Sequence, residues 1–286
     1  MLVESVPNFS EGRDRSVVEA IADAITTVPG AIVLDLSMDP DHNRSVITFA
    51  GRPESVLEAS IRAAGKAAER IDLRLHTGVH PRIGAIDVLP FVPLEGTTME
   101  DCVRLARRAA QAIWELHGIP AYLYEFAALR DDHRNLADVR RGQSPPDIGG
   151  PALHPTAGAV AVGARKFLIA FNVNLESTDL GAAREIARAI REATGGLPRV
   201  KALGLTMASE GMVQVSMNLT DFEATSIDTA FDAVRELAAK RGIGVRESEL
   251  IGLAPAAALN EHIARRVLLR AFHPGMILES RLGTLH

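Results

Sequence analysis

The sequence contains a single cysteine, Cys102, among its 286 residues. One cysteine cannot form an internal disulfide, and it cannot supply a zinc or iron–sulfur site built from several thiolates. It is compatible with the reducing cytoplasm, where we expect the protein to be located. Val103, Leu105 and Ala106 surround it in a predicted helix, so we expect a thiol buried by packing rather than a nucleophile.

Long apolar segments are also lacking. The longer apolar runs, at 157–164 and 167–171, fall far short of the roughly 18 residues that a membrane-spanning helix requires. Near the N-terminus, Glu4, Glu11 and Arg13 stand where a signal peptide would need an apolar stretch. We therefore expect neither a membrane span nor export.

Positive charge is not in excess. The chain has 31 Lys and Arg against 36 Asp and Glu, a formal net charge of −5. This balance offers no general attraction for a phosphate backbone, which argues against nucleic-acid binding. Any acidic ligand must therefore be bound by local cationic side chains. The 47% hydrophobic and 23% charged residues are typical of a globular protein, and the length favours two modest domains.

Apolar periodicity predicts the order βαββαβ in the first half of the chain. A strand near 2–6 and a helix precede a hairpin, and a second helix over 53–70 leads to a strand at 85–91. The predicted hairpin strands span 31–36 and 44–49. A further helix follows, with a capping box formed by Thr97 and Glu100 and an end at Gly118. With the strand at 121–126 it forms an appended βα unit.

The same order recurs after a turn-rich segment at 141–158. The predicted strands span 166–175, 201–207, 212–219 and 248–255, with helices ending near Gly195 and Gly242. The predicted fold class is α+β, with two tandem ferredoxin-like (βαββαβ) sandwiches spanning 1–164 and 165–286. We expect the segment from 259 onward to complete the second core, with apolar contacts from Leu268, Leu269, Phe272 and Ile277.

Polar residues alternate with apolar ones in the strand 212–219. Val213, Val215 and Met217 should face helices, whereas Gln214 and Ser216 should point to the other face. That polar face is either solvated or, if the two sheets face each other, the wall of a passage suited to a small molecule.

The densest group of reactive side chains lies in HTGVHPRIGAID, at 76–87. His76 and His80 are four residues apart, as zinc ligands on a helix would be, but Gly78 and Pro81 argue against a helix. We therefore favour acid–base chemistry, because the ordinary pKa of histidine, about 6.5, lets it accept and return protons near neutral pH. A structural role for the pair and a metal site are the alternatives.

Other candidates are polar residues in the turn DPDHNR at 39–44, the strand FNVNL at 171–175 and the GARK segment at 163–166. Turn formation, cross-strand bonding and solvation explain them equally well. As ligands, cations suit carboxylates and amides can both donate and accept hydrogen bonds. The candidate substrate-binding residues are Asp41, Asn43, Arg44, Arg82, Arg165, Lys166, Asn172 and Asn174.

Five motifs, VPNFSEGR, DPDHNR, HTGVHPRIGAID, GARKFLIAFNVNL and QVSMNLTDFE, together resemble the glutamate formimidoyltransferase family, which forms the formiminotransferase domain of formiminotransferase-cyclodeaminases. The resemblance covers nearly the whole chain. It implies two ferredoxin-like subdomains whose sheets face each other across a substrate tunnel, and a homodimer. It also implies transfer of the formimidoyl group from N-formimidoyl-L-glutamate to N5 of tetrahydrofolate, a late step of histidine breakdown. Tetrahydrofolate is then a co-substrate, and no metal is needed.

The resemblance assigns the catalytic histidine of the family to His80. With the substrates above, His80 would act as general base toward N5 and then as general acid toward glutamate. The folate-binding stretch precedes GARKF and differs from a related form at His154, Thr156 and Ala157. It consists of Gly149, Gly150, Pro151, Ala152, Leu153, His154, Pro155, Thr156, Ala157 and Gly158. Since the sequence ends at His286, we expect no fused cyclodeaminase domain.

Three alternatives remain open from the residues. The enzyme could transfer a formyl group, or use glycine instead of glutamate as the carrier. The chain could also be a non-catalytic folate-binding protein, or a metal-dependent amidohydrolase that uses His76 and His80.

Overall fold

The computed structural model describes residues 1–40, 42–78, 82–142, 144–207 and 210–283. The chain is an α+β protein whose contacts divide it into two compact units, Met1–Lys166 and the part that begins at Phe167. This boundary lies two residues after the predicted one. The naming of the parts as formiminotransferase subdomains stays a prediction.

The first unit begins with seven elements in the order βαββαβ, in which the first strand is split in two. Pro7 lies at the split, where a residue without an N–H cannot continue the ladder. Both pieces pair antiparallel with the same two neighbours, β4 and β5. The elements are β1 (Val3–Ser5), β2 (Asn8–Phe9), α1 (Arg15–Thr26), β3 (Ala31–Asp39), β4 (Arg44–Gly51), α2 (Pro53–Arg70) and β5 (Ile86–Pro93).

Four more elements follow in the first unit, and the two strands among them extend this sheet. They are α3 (Met99–His117), β6 (Ala121–Glu125), α4 (Leu136–Arg140) and β7 (Val160–Ala164). The strand β7 lies between β5 and β6 and is parallel to both. The pattern of residues 157–164 predicts only an apolar run, so neither this strand nor α4 is predicted from the sequence. The resulting order is β3-β4-(β1, β2)-β5-β7-β6, and α1, α2 and α3 bury their apolar faces in one core with the sheet.

The predicted capping box of α3 is wrong by one residue. Thr98, not Thr97, accepts a hydrogen bond from the backbone N–H of Asp101, and the Asp101 carboxylate accepts one from the N–H of Thr98. The hydroxyl of Thr97 is buried with no hydrogen-bond partner among the described residues. The predicted helix end is confirmed, because Gly118 caps α3 in the left-handed conformation with a φ of 66°.

The second unit has its own sheet and core. All its strand pairs are antiparallel, in the order β11-β8-β10-β9. The predicted closing strand is wrong by about three residues, and α5 ends at Ile190 rather than near Gly195. The elements are β8 (Ile169–Leu175), α5 (Leu180–Ile190), β9 (Val200–Met207), β10 (Met212–Leu219), α6 (Ile227–Ala239) and β11 (Val245–Ile251).

The C-terminal segment packs on the second core through α7 (Glu261–Arg266), α8 (Leu278–Leu282) and the residues around them. Leu269, Phe272 and Ile277 contact this core, as predicted. Leu268 does not follow the prediction, since its side chain is exposed. Among the described residues, no helix combines the length and the apolarity needed to cross a bilayer.

Candidate active site

Two loops of the first unit are joined by the side chain of Asn43. This residue follows β3 with a φ of +48°, a left-handed conformation that asparagine tolerates better than most residues. Its amide oxygen accepts from the N–H of Gly12 at 2.9 Å, and its amide nitrogen donates to the carbonyl of Thr77 at 2.9 Å. Asn43 therefore fixes the turn before β4 against the segment between α2 and β5.

His76 is held with both of its ring nitrogens engaged. The Arg82 guanidinium can only donate, so Nδ1 of His76 accepts from it. Nε2 then carries the proton and donates to the carbonyl of Asn43 at 3.1 Å. His76 could serve as a base or bind a metal only by giving up one of these contacts. Among the described residues, no group of three or more His, Cys, Asp and Glu side chains is placed to hold a metal ion.

Asp87 lies at the centre of a cluster of arginines, which we call the Asp87 cluster and define as Arg44, Arg82, Asp87 and Arg140. The Asp87 side chain is 1% exposed. Its Oδ2 accepts from Arg44 at 2.9 Å and from Arg140 at 2.6 Å, and its Oδ1 accepts from the N–H of Ile83 at 2.7 Å. Arg44 also donates twice to the Asn8 amide oxygen. One carboxylate thus orients two guanidiniums that come from distant parts of the chain.

The electrostatics of this cluster favour an ionised Asp87. Burial alone would raise the pKa of Asp87, but the charges of Arg44 and Arg140 outweigh it, so the pKa lies below its usual value. Burial lowers the pKa of Arg44, and the positive charges of Arg140 and Arg82 lower it further. The carboxylate of Asp87 acts in the opposite direction and raises it. Three guanidiniums therefore share the field of one carboxylate, and the cluster carries a net positive charge.

Arg140 reaches Asp87 because the segment around α4 is fixed on the sheet. Val139 packs against Val88 and Ala161 on the face opposite α1, α2 and α3. Nearby, His133 is buried, and its Nδ1 lies 2.7 Å from Oδ2 of Asp147. The same carboxylate oxygen accepts from the backbone N–H of Leu123 in β6 at 2.7 Å. This histidine–aspartate pair anchors the α4 segment to the sheet.

The predicted folate-binding stretch is bonded to both ends of the segment that carries His80. The carbonyl of Thr156 accepts from the N–H of Leu73 at 2.9 Å, before that segment. After it, the carbonyl of Ala157 accepts from Ala85 at 2.8 Å, and the N–H of Ala159 donates to Ile83 at 2.9 Å. Residues 150–153 and 155 are exposed, whereas Ala157 and Gly158 are buried. The stretch is thus anchored at one end and accessible at the other.

Asn172 and Asn174 belong to the second unit, on the sheet face opposite its core. Asn174 donates to Glu247 at 3.3 Å and accepts from Gln214 at 2.9 Å. Asn172 is 3.4 Å from Glu249. Cross-strand bonding therefore accounts for both amides, and Arg270 forms an ion pair with Glu247 at 3.2 Å. The predicted alternation in β10 is confirmed, since Gln214 lies on this polar face and Val213, Val215 and Met217 lie in the core.

The remaining residues considered from the sequence are His80, Asp41, Arg165, Lys166 and Cys102. His80 and Asp41 lie outside the described residues, so their roles stay predictions. Arg165 lies one residue before the exposed Lys166, which ends the first unit, and the backbone N–H of Arg165 donates to the carbonyl of Phe91 at 3.1 Å. The burial of Cys102 is confirmed, and it raises the pKa of this thiol to about 12. A thiol with this pKa is protonated at neutral pH and is a poor nucleophile.

Sequence reasoning missed Arg140, His133 and the two glutamates of β11. Arg140 lies 53 residues after Asp87, in a turn-rich segment, and no spacing rule connects the two. The useful signal would have been the strand β7, which lies parallel between β5 and β6. This pairing brings the segment after β6 onto the face of the sheet that carries the Asp87 cluster.

Comparison with known proteins identifies the family. The profile described as "Formiminotransferase domain, N-terminal subdomain" matches residues 2–165, and that described as "Formiminotransferase domain" matches residues 170–266. Among solved structures, a microcompartment protein from Desulfitobacterium hafniense covers 93% of this chain and 99% of its own at 12% identity. Its TM-score is 0.23, too low to carry an argument about the fold.

Curated relatives extend over almost the whole chain. Glutamate formimidoyltransferase from Thermoplasma acidophilum is 45% identical over 98% of this chain and 97% of its own length. The enzyme of that name from Streptococcus pyogenes serotype M1 is 42% identical over 90% of each chain. The formimidoyltransferase-cyclodeaminase of Sus scrofa is 40% identical over 99% of this chain, which spans 56% of that protein. With both domain profiles matched in order, the chain belongs to the formiminotransferase family.

Proposed function

We propose that this chain transfers the formimidoyl group of N-formimidoyl-L-glutamate to N5 of tetrahydrofolate, giving 5-formimidoyltetrahydrofolate and L-glutamate. The observation that carries the proposal is the 45% identity to a glutamate formimidoyltransferase over 97% of that enzyme's length. The chain is therefore an enzyme, and the Asp87 cluster with the loops around it is our candidate for its active site.

The reaction requires two proton transfers. N5 attacks the formimidoyl carbon and forms a tetrahedral centre, N5 loses its proton, and the glutamate nitrogen must be protonated before its bond to carbon breaks. We assign both transfers to His80, which would accept the proton from N5 and return one to glutamate. His76 is not suited to this role, because Arg82 and the Asn43 carbonyl occupy its ring nitrogens.

Binding of the acidic substrates falls to cations and amides. Arg44 and Arg82 belong to the Asp87 cluster, and we propose that they bind carboxylates, together with Arg165 and Lys166. Asn43, Asn172 and Asn174 are weaker candidates, since backbone groups or glutamates already engage their amides. Holding both substrates at one site makes the reaction effectively unimolecular, which lowers the barrier by several kcal/mol.

We propose residues 149–158 as the folate-binding segment, since part of it is exposed and its other end is bonded to the base of the His80 segment. For the fold, the strand order β11-β8-β10-β9 with two crossover helices supports a ferredoxin-like second unit. The tunnel between facing sheets, the homodimer, the cytoplasmic location and the role in histidine breakdown are further parts of the proposal, taken from the resemblance.

Replacing His80 with Ala tests the mechanism. We expect kcat to fall about 10²- to 10⁴-fold, because general acid–base catalysis contributes this much, while binding of tetrahydrofolate is retained. Formation of 5-formimidoyltetrahydrofolate and release of glutamate measure the rate, and calorimetry measures binding. The matched control is His262→Ala at an exposed position, which should leave kcat unchanged. A His80→Ala enzyme with wild-type kcat would refute the assignment.

The same assay separates the alternatives. Formyl-glutamate and formimidoyl-glycine are supplied in place of formimidoyl-glutamate, and the folate adduct and the free amino acid are identified. A non-catalytic folate-binding protein would bind folate and show no turnover with any donor. A metal-dependent amidohydrolase would lose its activity on addition of a chelator.

A further inference from the structure

The Asp87 cluster holds more positive charge than its own carboxylate neutralises. Arg44 and Arg140 donate to the same oxygen of Asp87. The carboxylate of Asp87 also interacts electrostatically with both Arg44 and Arg82. The side chains of Arg44 and Arg140 are 16% and 17% exposed, so two guanidiniums share one carboxylate at a largely buried place. Buried charge is costly unless a counter-charge is near, so such a cluster favours binding of an anion.

Arg140 has unused hydrogen-bonding capacity in this cluster. One of its terminal nitrogens donates to Asp87 at 2.6 Å. Its Nε is buried and has no hydrogen-bond partner among the described residues. Guanidinium groups bind carboxylates through N–H donors, and Arg140 keeps donors that Asp87 does not use. The side chain is 17% exposed, so the protein does not fully enclose it.

The position of Arg140 is fixed before any ligand binds. Val139, the residue before it, is buried against the sheet, and Asp87 is 1% exposed. A guanidinium held in this way loses little conformational entropy on binding, which favours specific recognition over a loose surface contact.

We propose that Arg140, together with Arg44, forms a binding site for a substrate carboxylate and is a specificity determinant of this enzyme. The site takes an amino-acid carboxylate, either that of the formimidoyl-glutamate donor or that of the glutamyl tail of folate. This inference rests on the proposed function, and it explains why the enzyme would discriminate between substrates by the number and position of their carboxylates.

Two variants of Arg140 test the site. Arg140→Met removes the charge and the donors, and Arg140→Lys keeps the charge but loses the planar pair of donors. We expect the KM of one substrate to rise about 10- to 100-fold in Arg140→Met and less in Arg140→Lys, because hydrogen bonds to charged groups contribute this much affinity. The control is Arg141→Met, at an exposed neighbour paired with Asp138, which should leave both KM values unchanged.

The choice of substrate identifies the carboxylate. A rise in the KM of formimidoyl-glutamate alone assigns the site to the donor. A rise in the KM of tetrahydrofolate that disappears with tetrahydropteroate, which lacks the glutamyl tail, assigns it to the tail. Wild-type KM values for both substrates in folded Arg140→Met enzyme would overturn the inference, as would a loss of kcat with both KM values unchanged.

Binding without turnover separates this inference from the proposed function. The dissociation constants of L-glutamate and tetrahydrofolate are measured by calorimetry for the wild type, Arg140→Met and Arg140→Lys. Weaker binding of either compound to both variants supports the site even if no transfer is detected, whereas unchanged binding of both overturns it. Absence of transfer in the wild type contradicts the proposed function alone.

Discussion

Gly84 lies where two backbone segments approach too closely for any side chain. It forms an isolated bridge with Gly158, and a Cβ on Gly84 would lie 1.8 Å from the carbonyl oxygen of Ala159. Its own carbonyl accepts from the hydroxyl of Ser10 at 2.7 Å. The close approach fixes the residues just before Asp87 against the proposed folate-binding segment.

Gly84→Ala should destabilise the protein by about 1–3 kcal/mol, because an added methyl in a packed site forces the backbone apart. Urea unfolding followed by circular dichroism measures the free energy of unfolding. Gly283→Ala, where an added Cβ meets open space, is the control and should change it by less than about 0.5 kcal/mol. Equal stability of the two variants would contradict the geometry.

At the residue scale, the motifs indicated a candidate site but not its contacts. The cluster in 76–87 was found because histidine, arginine and aspartate occur together on a short segment. Its hydrogen bonds were not predictable, since Asp87 bonds to Arg44 and Arg140, which lie 43 and 53 residues away in the chain. Arg82 also braces this segment, since it donates to the carbonyl of Gly78 at 2.7 Å.

Helix α3 offers a matched pair of substitutions at its N-terminus. Thr98 caps the helix, whereas the adjacent Thr97 has a buried hydroxyl that lacks a partner. Thr98→Val should cost about 1 kcal/mol of stability, because the N–H of Asp101 loses its acceptor. Thr97→Val should be neutral or slightly stabilising, since no hydrogen bond is lost. Thermal unfolding of both variants measures the difference, and a larger loss in Thr97→Val would contradict the assignment.

At the element scale, long periodic segments were predicted well, and α2 has the predicted bounds of 53 and 70. The error at α3 arises because Thr97 and Glu100 fit the capping pattern as well as Thr98 and Asp101 do. The strand β7 was missed because it is buried on both faces and shows no alternation. Its parallel neighbours also lie far away in sequence, so no hairpin signal marked it.

On the scale of the whole molecule, a net charge of −5 conceals the positive Asp87 cluster. The overall balance leaves the binding of acidic ligands to local cations, but it could not locate those cations. The cluster also links stability to pH. Asp87 has a lowered pKa in the folded state, so its contribution is complete above the ordinary value of 3.8 and is lost as pH falls through the lowered pKa.

Asp87→Asn should therefore lower the free energy of unfolding at pH 7 by about 3–5 kcal/mol, because two buried guanidiniums lose their carboxylate. The difference from the wild type should shrink as pH falls below about 4, where Asp87 of the unfolded wild type becomes protonated. Urea titrations between pH 7 and pH 3 measure it. Glu19→Gln, at an exposed pair with Arg15, should stay within about 0.5 kcal/mol of the wild type. A constant difference across this range would contradict the prediction.

The bonds from Leu73 and Ala85 to Thr156 and Ala157, adjacent residues of one turn, have a practical consequence. Because both ends of the intervening stretch are tied to this turn, exposed side chains within the stretch can change without shifting the sheet. The side chains at these exposed positions can therefore be exchanged for others. Substitutions at the exposed positions 74 and 75, with the length of the chain kept, should yield folded enzyme, and this makes these two positions the natural starting point for engineering.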